Sequence, residues 1–94
     1  MTLYQNFIDV DIGKFNFVVS IYGDKITAEY ENSSIGIARF IEDYQSILTD
    51  SLTVIEATGG YELELIYSLF ASDYKVHRAD SRKLRTLFVL LGVQ

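Results

Sequence analysis

Residues Phe7 to Ile12 put Ile8, Val10 and Ile12 on one side of the chain and Phe7, Asp9 and Asp11 on the other. That period of two predicts a β-strand with one wholly apolar face, ended by Gly13-Lys14. The aromatic and β-branched run Phe15 to Tyr22, the turn Gly23-Asp24 and the segment Lys25 to Tyr30 predict the second and third strands of an antiparallel meander. Asn32-Ser33-Ser34 then offers helix-capping side chains, and Ile37, Phe40, Ile41, Tyr44, Ile47 and Leu48 recur at helical spacing. A first helix is expected over residues 34 to 48.

Ser51 to Glu56 predicts a short apolar strand, Thr58-Gly59-Gly60 a turn, and Tyr61 to Ala71 a second helix buried through Leu63, Ile66, Tyr67 and Phe70. Tyr74 to Arg78 reads as a fifth strand, with His77 at the sheet edge. From Ser81 onward, Leu84, Leu87, Phe88 and Leu91 predict a third helix with Gly92 at its C-cap. The order βββαβαβα implies an α/β domain, a mixed five-stranded sheet with helices packed on it, because parallel strands need crossover helices to return the chain. It is the order of a ribonuclease H-like fold. In that topology the first and fourth strands lie side by side mid-sheet, with Asp11 and Glu56 at their C-terminal ends.

Composition narrows the chemistry. Ninety-four residues, 49% of them hydrophobic, suit one domain over residues 1–94. No apolar run approaches the roughly 18 to 20 residues of a membrane span, and the first residues lack the basic region of a secretory signal, so a cytoplasmic location is expected. The absence of cysteine excludes disulfides, thiolate zinc sites and thiol nucleophiles.

The net charge of −5 is unevenly spread. Residues 1 to 74 carry 3 basic against 12 acidic side chains, whereas Lys75, Arg78, Arg82, Lys83 and Arg85 face only Asp80 in residues 75 to 94. Because charges more than about 8 Å apart are screened, such a basic end can contact phosphates on an otherwise acidic domain. Its alternative is a solvated surface.

A core strand rarely carries a carboxylate without a task. Asp11 and Glu56 at adjacent strand ends could share a hard divalent cation, which typically takes one or two carboxylates plus phosphate and water, and such ions serve phosphodiester chemistry. The structural alternative has Asp11 capping the strand-to-turn junction and Glu56 pairing with a lysine. Asp9, on the face of Asp11, is a further candidate ligand and a source of repulsion. Thr58-Gly59-Gly60 lacks the lysine and spacing of a Walker loop.

Val10-Asp11-Ile12-Gly13-Lys14, Glu56-Ala57-Thr58-Gly59-Gly60-Tyr61-Glu62, Val76-His77-Arg78-Ala79-Asp80-Ser81-Arg82-Lys83-Leu84-Arg85 and Leu91-Gly92 together resemble the N-terminal domain of DEDD transposases of insertion-sequence family 110 and the Piv and MooV invertases. The resemblance runs from Phe7 to the last residue, and Glu-Ala-Thr-Gly-Gly-Tyr-Glu is its most specific part. It implies a RuvC-like domain whose four carboxylates bind Mg²⁺ or Mn²⁺ and cut or exchange DNA strands, with Asp11 and Glu56 in the first two places. The last two aspartates of the family follow the Leu-Gly element, so this chain reads as a truncated domain, inactive alone. DNA is the implied substrate, with Lys14, Arg78, Arg82, Lys83 and Arg85 as candidate phosphate contacts and a structured guide RNA as a partner of the full-length protein. Asp9 stands where glycine is frequent in the family, and Ser81 where proline is.

Two other classes stay open. An actin-like or sugar-kinase-like ATPase fragment also begins with an Asp-hydrophobic-Gly strand, but Lys14-Phe15 lacks the small polar residues such a phosphate loop uses. A non-catalytic self-association module would use the apolar side of the last helix, and a homo-oligomer, most simply a two-fold dimer, is expected on that ground.

Overall fold

The structure, a computed structural model, describes residues 4–56 and 59–79. The described chain runs β1 (Asn6–Ile12), β2 (Asn16–Ile21), β3 (Thr27–Glu31), α1 (Ser34–Leu48), β4 (Ser51–Glu56), α2 (Leu63–Ala71) and β5 (Lys75–Ala79). It is an α/β arrangement: one five-stranded mixed sheet, order β3-β2-β1-β4-β5, with two helices. The expected third helix, with Arg82, Lys83 and Arg85, lies outside the described residues.

Strand β1 is the hinge between two kinds of pairing. It runs antiparallel to β2, with Val10 opposite Val19, and parallel to β4, with Val10 opposite Ile55. The alternation read in β1 holds: Ile8, Val10 and Ile12 are buried, whereas Asp11 is exposed and Asp9 half-buried. The buried side continues across the sheet through Phe17, Val19 and Ile55 and is covered by Ile37, Phe40 and Leu48 of α1 and Leu65, Ile66 and Leu69 of α2. Aromatic packing closes one end, where Phe40 meets the rings of Phe17 and Tyr30 edge-on, each at 5.6 Å. Burial of each such ring contributes about 1.5–3 kcal/mol.

Helix α1 starts where the serines predict. Ser33 is the N-cap, its hydroxyl accepting from the Gly36 N–H at 3.2 Å, which satisfies one of the orphan donors of the first turn. Gly36 is needed for packing: a Cβ there would stand 1.8 Å from the Glu31 carbonyl oxygen, so α1 can lie this close to the end of β3 only with a hydrogen at that position.

Helix α2 buries Ile66 as expected and corrects the rest of the expected face. Leu65, Ile66 and Leu69 face the core, while Leu63, Tyr67 and Phe70 are exposed, Tyr67 by 65% and Phe70 by 57%. Tyr61, expected as the first residue of this helix, lies in the preceding turn and is half-exposed. Both apolar sets recur at helical spacing, and the sheet accepts only one. Among the described residues no helix is long and apolar enough to cross a membrane.

Candidate functional site

Register brings the two carboxylates together. Strands β1 and β4 pair with Asp9 opposite Val54 and Val10 opposite Ile55, so the next positions along are Asp11 and Glu56. In-register residues of parallel neighbours point to the same side, on strands about 4.8 Å apart. A row therefore crosses the sheet as Val18, Asp11, Glu56 and Ala79, with a second row of Ser20, Asp9, Val54 and His77 one step deeper. This is the face opposite α1 and α2.

No described cation pairs with Asp9, Asp11 or Glu56, and none of the three carboxylates takes part in a described side-chain hydrogen bond. The structural alternative, in which Asp11 caps the turn and Glu56 pairs with a lysine, thus has no contact to carry it among the described residues. The Asp9 carboxyl is pushed above its ordinary value of 3.8, first by burial and then by repulsion from Asp11 and Glu56. Three like charges are held within electrostatic reach with nothing described to neutralise them.

That donor set suits a hard cation in chemistry and falls short in number. Among the described residues no group of three His, Cys, Asp or Glu side chains is arranged to hold a metal ion. What fits is the carboxylate pair Asp11 and Glu56, the complement that magnesium uses when phosphate and water complete its shell. Asp9 shares the face but sits about 7 Å further down the strand.

The expected basic contacts separate. Lys14 is exposed on the β1–β2 turn, with its ammonium 5.3 Å from the centre of the Phe15 ring. Arg78 sits opposite Ile55 and hence on the helix side of the sheet, where its Nη2 lies 2.9 Å from an Oε2 of Glu62. His77 is exposed on the edge strand β5.

Two residues named in the sequence only as a capping side chain, Asn32, and as the end of a motif, Glu62, shape this end of the sheet. Glu62, wholly buried at the head of α2, accepts the Gly60 N–H at 3.0 Å as well as meeting Arg78, and so ties the turn after Glu56 to β5. Gly59 and Gly60 both have positive φ, 81° and 123°, which only glycine adopts without strain. Asn32 donates its side-chain N–H groups to the carbonyls of Gly13 at 3.0 Å and Tyr61 at 2.9 Å. It thereby joins the turn that follows Asp11 to the loop that follows Glu56. The only signal in the sequence was indirect, since both residues stand in turns where a polar side chain looks local.

No protein-family model matches the chain, and no curated protein matches it in sequence.

Proposed function

We propose that the chain is a ribonuclease H-like, RuvC-type domain of a DNA transposase or site-specific recombinase, of the kind found in insertion-sequence family 110. The observation that carries this reading is the placement of Asp11 and Glu56 at in-register ends of adjacent parallel strands, on one face and without a described cation. The motif resemblance supplies the rest. Asp11 and Glu56 would hold Mg²⁺ or Mn²⁺, which when bound activates water and stabilises a leaving phosphodiester oxygen. The chain's own contribution is to fix two oxygen donors on rigid strands and to leave the approach above them to DNA. Two of the four carboxylates implied by the resemblance are present, so strand cleavage needs further acidic ligands.

Calorimetric titration with Mn²⁺ tests the pair. Weak binding that Asp11→Asn and Glu56→Gln each abolish is expected, and equal binding by wild type and both variants would overturn the reading. A second reading, a non-catalytic self-association module, is favoured by the exposed Leu63, Tyr67 and Phe70 stripe on α2. Sedimentation at micromolar concentration separates the two, because self-association that Tyr67→Glu abolishes requires no metal.

A further inference from the structure

Phe15 is 72% exposed at the tip of the β1–β2 turn. The turn is tight, with the Gly13 N–H donating to the Asn16 carbonyl at 2.8 Å, so Lys14 and Phe15 are its two central residues. Such positions favour small or polar side chains. A single exposed aromatic needs no explanation, but three further features coincide here. The backbone of Phe15 is anchored, its carbonyl accepting the Asn32 N–H at 2.7 Å. The Lys14 ammonium stands over one side of its ring. A second exposed aromatic, Tyr61 at 47%, lies on the loop that the Asn32 side chain fastens to the same turn.

A rigidly mounted, solvent-facing ring beside a lysine is the arrangement that single-stranded nucleic acid uses, the base stacking on the aromatic and the cation meeting its phosphate. The position matches: the turn follows directly on β1, which carries Asp11 one residue before its end. We infer that Phe15 is a stacking platform for an unpaired nucleobase, with Lys14 as its phosphate contact and Tyr61 as a second aromatic surface. This rests on the nucleic-acid reading above and adds to it a strand with at least one base out of a duplex. The shared chemistry is the nucleobase, from DNA or from RNA.

The chain has no tryptophan, so Phe15→Trp gives the molecule a single indole at the proposed contact. Titration in EDTA with single-stranded DNA, single-stranded RNA, duplex DNA of about ten nucleotides per strand, and inorganic polyphosphate reads the site directly. Quenching by an unpaired strand, well above that by duplex or polyphosphate, is expected, and the stronger of the DNA and RNA responses names the source. Phe15→Ala should weaken binding of the labelled strand about tenfold, while Phe15→Tyr retains most of it. Circular dichroism confirms that the variants are folded. Equal quenching by polyphosphate, or unchanged affinity in Phe15→Ala, would overturn the inference. Since EDTA removes divalent cations, the strand titration does not depend on the metal pair, and loss of the cleavage reading in the Mn²⁺ calorimetry would leave this result standing.

Discussion

The wholly buried carboxylate of Glu62 meets, 2.9 Å away, the guanidinium of Arg78, whose side chain is half in water. A charge pair with one solvated member is cheaper to form than a fully buried one, and removing its exposed half still takes a charged partner from the buried carboxylate. Arg78→Met is therefore expected to lower stability by about 1–2 kcal/mol, after discounting for the solvent around the arginine. Lys75→Met, at the exposed start of the same strand, should change little. Urea unfolding of both variants checks the difference.

Asp9 makes stability depend on pH in a defined sense. Its folded-state pKa lies above the ordinary 3.8, so the native chain binds this proton more readily than the unfolded one. The contribution of Asp9 to stability consequently falls as pH rises through its folded pKa and recovers as pH drops toward 3.8. Asp9→Asn should raise the Tm at pH 7, and the gain over wild type should shrink as pH is lowered toward 4. Asp11→Asn should act in the same direction by removing one of the charges that repels Asp9. A lower Tm for either at pH 7 would show that the carboxylates stabilise the sheet instead.

Gly36→Ala sets helix propensity against packing. In an exposed helix this change would gain about 1 kcal/mol, but here the methyl would overlap the Glu31 carbonyl. The expected net effect is a loss of about 2 kcal/mol as α1 moves off β3, measurable as a lower denaturant midpoint.

Activity follows from the donor count. With Mg²⁺ or Mn²⁺ and supercoiled plasmid, the 94-residue chain should produce no nicking above background. Robust nicking that Asp11→Ala removes would mean that two carboxylates suffice.

The sheet was legible because strands announce themselves by alternation: Ile8, Val10 and Ile12 against Asp9 and Asp11 gave both the element and its buried side, and the capping serines gave the start of α1. Helix α2 was legible as an element but its buried face only at Ile66, because Leu63, Tyr67 and Phe70 repeat as regularly as Leu65, Ile66 and Leu69. Periodicity reveals that a helix has an apolar face; choosing between two such faces takes knowledge of where the chain leaves β4. Asp11 and Glu56 could be paired from the sequence because their meeting depends only on strand order and register. Glu62 could not, since its contact with Arg78 forms only when β5 is placed beside β4.

Asn32 gives this end of the sheet an unusual chemical sensitivity. Its amide supplies two N–H donors and spends both, one on each carbonyl. Replacing that nitrogen by oxygen, the smallest change a side chain can undergo, would set a carboxylate against two carbonyl oxygens and turn two attractions into two repulsions. The turn beyond Asp11 and the loop beyond Glu56 would then part, although every residue of the candidate site remained in place. Shape alone does not secure the edge; the identity of one atom at position 32 does.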